Sequence, residues 1–307
     1  MLKLDKKGEY FCSLIGLVIG INFVTVLKTW VFYMRNFVRE KKIVCGKNYM
    51  EVDLYPLCES QLESKKGKRS KKKKVSLPKQ EKMNGKNARR RFIQLAETNF
   101  GQDDIFLTVT YKDKYLPRSY EDSQREVRNY IRRIKDRMKS KGIEGDLKYI
   151  VVTSMREKNG DEKSIRYHHH FLISCGLDRD SIESLWRRPR RKGQKEGDPI
   201  GYANSKRIQE DVNTGILGLA NYLARHTTYK RRWSCSQNLE RPYERTNDHK
   251  YSNKKLLQYA LDPYDIGRWE QIYKGYTIAD KDNGIEAVYN DFTGWSIYLK
   301  LRRKLRL

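Results

Sequence analysis

Apolar and polar positions along the chain fall into two periods, and each period predicts a type of element. Asp104 to Tyr111 is a β-branched and aromatic run, Ile-Phe-Leu-Thr-Val-Thr-Tyr after its aspartate, and predicts a buried strand. Glu121 to Lys141 changes period: Val127, Tyr130, Ile131, Ile134 and Met138 recur at three and four, the spacing of an amphipathic helix. A Gly142 to Asp146 turn leads into a second strand, Leu147 to Met155, which Asn159-Gly160 turns back into a third, Ile165 to Ser174. Asp178 is placed to cap a short helix reaching Trp186, with Ile182 and Leu185 on one face. Thr214 to Thr227 carries a broad apolar stripe, Ile216, Leu217, Leu219, Ala220 and Leu223, and predicts another helix. Upstream, Asn84 to Asn99 has helical periodicity through Phe92, Ile93, Leu95 and Ala96, and Lys42 to Pro56 predicts a short strand or hairpin around Gly46-Lys47-Asn48. The order of elements predicts an α+β architecture, a central antiparallel sheet with helices on one face, the 165–174 strand in its middle and the helix of Tyr222 across it.

Composition divides the chain further. Residues 84–245 form the main globular domain, preceded by a strand or hairpin segment at 35–62 and a basic flexible linker at 63–83. That linker is too rich in Lys, Ser and Gly to bury a core. Residues 246–307 are a Tyr-rich accessory region of strands or a small appended domain. Residues 1–34 are a hydrophobic extension. Tyr10 to Leu27 carries no charge and, at about 1.5 Å per residue, would just cross a bilayer core as a helix. Either it is a membrane anchor or translation begins at Met34 and it is an upstream extension, the reading preferred here. Arg35, Arg39, Lys41 and Lys42 would hold the remainder in the cytoplasm, tethered through residues 10–34 if the segment inserts.

The charge points to a partner. A formal net charge of +27, with 34% charged residues, is unusual for a small-molecule enzyme and favours a polyanion. Basic runs at Lys65 to Lys74, Arg89 to Arg91, Arg132 to Lys141, Arg187 to Lys192, Lys230 to Arg232 and Arg302 to Lys304 are interleaved with Tyr and Trp. That mixture suits phosphate contacts with base stacking nearby, and favours nucleic acid over lipid. Five scattered cysteines without a C-x-x-C pair suit neither a disulfide framework nor a zinc ribbon, and indicate a reducing compartment. No G-x-x-x-x-G-K-[ST] loop is present, so any strand-separating motor comes from elsewhere.

Candidate chemistry sits in the third strand, where His168-His169-His170 interrupts an apolar run without a packing reason. Alternation sends His168 and His170 to one face and His169 to the other. Two imidazoles on one face are half of a metal site, or a hydrogen-bonded structural pair. Glu157 is the nearest carboxylate for a third ligand, although pairing sets it toward the turn and puts Thr153, Ser154 or Met155 opposite His168. Thr108 and Thr110 read as residues of a pleated surface.

Three pieces stand in order: Phe106 to Tyr111, the His-x-His at 168 to 170, and Tyr222-Leu223-Ala224-Arg225 followed by Arg231 to Leu239. Together with Tyr49 to Pro56 and the Asn87 to Phe100 helix, they resemble the HUH superfamily of rolling-circle replication initiators, in the branch of Gram-positive plasmids and filamentous phages. The resemblance covers roughly Lys42 to Pro242 and implies an RRM-like or ferredoxin-like palm within 84–245. It implies His168 and His170 as ligands of Mg²⁺ or Mn²⁺, Glu157 as a candidate third, and Tyr222 as the nucleophile that forms a 5′-phosphotyrosine. A phenol ionising near pH 10 needs the scissile phosphate polarised by a metal. Arg225 stands where the family usually has lysine, which keeps electrostatic help and weakens any proton-transfer role. Arg166, Lys230, Arg231, Arg232, Trp233, Lys71 and Lys72 are candidate DNA contacts, Trp233 alternatively closing a core. The implied partners are single-stranded or hairpin origin DNA and a host helicase and polymerase. The rivals are a single-tyrosine transposase or mobilisation relaxase, a water-activating metallohydrolase, and a non-catalytic nucleic-acid-binding regulator.

Overall fold

The structure, a computed structural model, describes residues 36–58, 77–158, 161–225, 233–280 and 282–304, without the side chains of 156–158 and 161–165. The 1–34 extension, Lys71 and Lys72, the Asn159-Gly160 turn, and Lys230, Arg231 and Arg232 lie outside the described residues.

Strands β1 (Asn36–Cys45) and β2 (Tyr49–Cys58) pair antiparallel as the expected hairpin. Gly46 closes it at φ 62°, and a Cβ there would lie 2.8 Å from the Glu97 carbonyl oxygen, so the turn requires glycine twice over. Helix α1 (Pro78–Asn99) begins ahead of the expected Asn84, because a proline suits the first helical turn; residues 78–83, read as linker, are helical. Next come β3 (Ile105–Val109), α2 (Tyr120–Ser140), β4 (Lys148–Lys158), β5 (Asp161–Ser174), α3 (Arg179–Ser184), β6 (Ala203–Arg207), α4 (Leu217–Arg225) and β7 (Ser234–Cys235). Ser119 caps α2 and Asp178 caps α3 through side-chain oxygens that accept from Asp122 N and Ser181 N. The chain ends in β8 (Tyr243–Tyr251), α5 (Asn253–Leu261), α6 (Ile266–Ile272), β9 (Tyr276–Ile278), β10 (Ile285–Asn290) and β11 (Gly294–Arg303).

Two antiparallel sheets result. The first has the order β6-β3-β5-β4-β7, with the histidine strand β5 at its centre. Helices cover both of its faces rather than one. On one face Val127, Tyr130, Ile134 and Met138 of α2 pack with Leu107, Val151, Phe171 and Ile173. On the other, Phe92 and Leu95 of α1 and Leu217, Ala220 and Leu223 of α4 pack with Ile150, Val152 and Leu172. The reason lies in the strands, since β4 and β5 are apolar at consecutive positions and demand cover on both sides.

The second sheet has the order β10-β11-β2-β1-β8, with β9 added on β11. The 35–62 hairpin and the 246–307 region therefore share one sheet. A two-stranded hairpin alone is marginal, and β8 and β11 pair along its two edges. Helix α1 joins the sheets. Arg90 donates to Glu51 Oε2 and, through both terminal nitrogens, to Asp53 at 2.6 and 3.0 Å, while Gln94 donates to Glu51 at 2.7 Å. No helix among the described residues is long and apolar enough to cross a membrane.

Candidate active site

Strand β5 separates its three histidines by parity, as the alternation predicts. His169 is fully buried on the α2 face, and it does have a packing reason. Its Nδ1 lies 2.9 Å from Thr153 Oγ1 and its Nε2 2.8 Å from Tyr111 Oη. Gln124 donates to Thr153 Oγ1 at 2.7 Å, so that hydroxyl can donate on to Nδ1 and Nε2–H to Tyr111. Trp186 and Tyr111 meet the ring edge to face. Burial, then the neighbouring His168 and His170, lower its pKa to about 3, and the ring is neutral at physiological pH. Tyr111, read as core or base platform, is core.

His168 and His170 lie on the opposite face with their rings 5.1 Å apart, edge to face at 89°. His170 is buried, stacked on Phe106, and its Nδ1 is 2.9 Å from Thr108 Oγ1 on the neighbouring strand. That bond fixes the ring and makes Nε2 the nitrogen a metal would meet. Thr108 was not legible as part of the site; the signal was there in the pairing of β3 with β5, which sets Thr108 opposite His170.

Tyr222 comes to this pair from α4. The helix buries Leu217, Ala220, Leu223 and Ala224, which leaves Tyr222 off the buried stripe, 47% exposed. Its ring centroid is 5.9 Å from that of His170, at 71°. The start of α4 is held by a tight turn: Asp211 Oδ1 accepts from Asn213 N at 2.9 Å and Thr214 N at 2.8 Å, and Gly215 follows at φ 61°. Arg302 of β11 donates to the Thr214 carbonyl at 3.1 Å and faces Glu97 and Glu210. The second sheet thus anchors the helix that presents Tyr222.

The remaining expected residues are distributed as follows. Arg225 ends α4 and is exposed. Arg166 donates to Asp113 at 2.6 Å and to the Tyr111 carbonyl at 3.3 Å. Trp233 is half-buried; its Nε1 donates to the Ala88 carbonyl at 3.2 Å and its ring meets Phe92 edge to face. Glu157 pairs with Ile165, a register position with the parity of His169 rather than of the other two histidines. Among the described residues no cluster of three or more His, Cys, Asp or Glu stands ready to hold a metal. Ser154 is the residue opposite His168, and its buried Oγ has no hydrogen-bond partner among the described residues. Two imidazoles, one oriented by a hydroxyl, with an unsatisfied hydroxyl beside them, fit a divalent cation that retains open positions.

An exposed tyrosine over two histidines on a central antiparallel strand is the architecture of an α+β protein built for chemistry on an extended substrate. Residues 104–227 match the model of a family described as replication-associated protein, of the ORF2 type. The match supports a replication-initiator family, with DNA as its partner. It takes in the five-stranded sheet except β7, the helices α2 to α4, both histidines and Tyr222. No curated protein and no solved structure matches the chain.

Proposed function

We propose that the chain is an HUH-type initiator of rolling-circle replication, of the Gram-positive plasmid and filamentous-phage kind, which nicks and rejoins single-stranded DNA through Tyr222. The observation that carries this reading is the half-exposed Tyr222 ring set 5.9 Å from His170. Tyr222 Oη gives up its proton and attacks phosphorus; the Oη–P bond forms as the P–O3′ bond breaks, and O3′ takes a proton. The products are a 5′-phosphotyrosine and a free 3′-hydroxyl, so one phosphoester replaces another and rejoining needs no ATP. His168 and His170 would hold Mg²⁺ or Mn²⁺, with Ser154 beside them, and the ion would polarise the scissile phosphate. Thr108 keeps His170 in the orientation that serves this site. Arg225, one turn beyond Tyr222, draws the phosphate and offsets charge on the phenolate. The basic residues Lys71, Lys72, Lys230, Arg231 and Arg232 add sequence-independent affinity. A host helicase opens the duplex and a host polymerase extends the new end.

The test is the chemistry of the ends. Single-stranded DNA cut by the protein with Mn²⁺ should carry a 3′ end that a polymerase extends and a 5′ end that resists phosphorylation until protease digestion. Chelation should stop the cutting and Mn²⁺ restore it. A 5′ end free of peptide would point instead to hydrolysis by water.

A further inference from the structure

Beside the nucleophile, the outer edge of the histidine sheet carries a second feature. Strand β6 is the edge strand next to β3, and its register runs Val109↔Ala203, Thr108↔Asn204 and Phe106↔Lys206. The pairing continues one step further, where Thr110 N donates to the Tyr202 carbonyl at 2.9 Å. Directly paired residues share a face, so Tyr202, Asn204 and Lys206 stand on the face of Thr108 and His170. All three are exposed, Tyr202 at 81%. Ser205 between them points the other way, buried, with its N and Oγ donating to Glu183 at 2.6 and 2.7 Å. This bond fixes which side chains the strand presents.

The transverse rows place this edge relative to the chemistry. Asn204, Thr108, His170 and Val152 form one row across the sheet. Tyr202 and Thr110 continue the neighbouring row, which holds His168 and Ser154. At about 4.8 Å between strands, Tyr202 stands about 10 Å from His168. A large exposed aromatic, an amide and an ammonium, alternating along one unpaired edge, match the three parts of a nucleotide strand. The ring offers a stacking surface, the amide pairs donor and acceptor with a base edge, and the ammonium meets phosphate.

We infer that Tyr202, Asn204 and Lys206 form a binding track for single-stranded DNA that seats the nucleotides next to the scissile phosphate and supplies part of the base preference. The track rests on the proposed nicking function for its position and is tested by binding, which needs no nicking. In the non-nicking Tyr222→Phe protein, affinity for fluorescent oligothymidylate is measured by anisotropy across a salt series. Tyr202→Ala should weaken binding about tenfold, the size of one lost base stack, and Tyr202→Phe should stay within about twofold. Lys206→Ala should lower the slope of log affinity against log salt by about one, whereas Lys135→Ala, on the exposed side of α2, should leave it unchanged. In the nicking-competent protein, Asn204→Ala should flatten the base preference at one position of the sites cut from a randomised pool. Variants that match their parent in affinity, salt slope and cut-site profile, while wild type still forms its adduct, would overturn the track and leave the nicking function standing. Retained binding effects without any adduct would uphold the track and remove the nicking function. Failure of the parent to bind single strands at all would overturn both.

Discussion

Replacing Thr108 by valine keeps its shape and removes one hydroxyl, the one that holds His170 Nδ1 at 2.9 Å. His170 is buried, so the lost bond leaves a ring nitrogen short of its partner and should cost about 1–2 kcal/mol of stability. That is too little to unfold a domain of ordinary stability, about 5–15 kcal/mol. The larger effect falls on the metal. With Nδ1 released, the ring can turn and change tautomer, and loss of such an orienting partner typically weakens metal binding about 10- to 100-fold. Calorimetric titration with Mn²⁺ reads this directly, with thermal unfolding alongside to confirm the fold. Thr108→Ser, which keeps the hydroxyl, should recover most of the affinity. The reasoning is refuted if Thr108→Val binds Mn²⁺ as tightly as wild type, or if Thr108→Ser is as weak as valine.

Three further outcomes follow from the same geometry. Adjacent histidines should separate cleanly: His169→Phe strands Tyr111 and Thr153 and should cost about 2–4 kcal/mol in urea unfolding, while His168→Ala should change stability by less than about 1 kcal/mol and abolish Mn²⁺ binding. Burial raises the Glu97 pKa to about 7, so the folded state holds a proton that the unfolded chain releases near pH 4.5. Its contribution is therefore fully present below about pH 4.5 and lost as pH rises through about 7, a fall of about 3 kcal/mol that Glu97→Gln should flatten in pH-dependent melts. Gly215→Ala puts a Cβ at positive φ, 1.8 Å from a guanidinium nitrogen of buried Arg302; it should destabilise by about 2 kcal/mol or more and reduce nicking, as measured by melting and by single-turnover cutting.

The sheet that carries the site was legible because its signals are local. Alternation in Ile165 to Ser174 and the three-and-four spacing of Val127, Tyr130, Ile134 and Met138 need only neighbouring residues to be read. The Asp178 cap was legible for the same reason, and so was the opposition of His168 and His169. What escaped depends on contacts distant in the chain. Nothing near Lys42 to Pro56 says that β11 will pair along β2, or that Arg302 will anchor the turn before α4. Pro78 extended α1 into a segment whose charge reads as linker. The partners of His169, Tyr111 and Thr153, come from two other strand regions, which is why the middle histidine shows no packing role in the sequence alone. Glu157 failed as a companion of the pair by parity alone, a distinction settled once β4 and β5 are in register.

The central claim is that Tyr222 becomes covalently joined to DNA. Labelled single-stranded DNA pools incubated with the protein and Mg²⁺ or Mn²⁺, then run on a denaturing gel, test it most directly. The account predicts a labelled band that stays with the wild-type protein and is lost in Tyr222→Phe and His168→Ala. Cutting without such a band, or an adduct that persists in Tyr222→Phe, would contradict it.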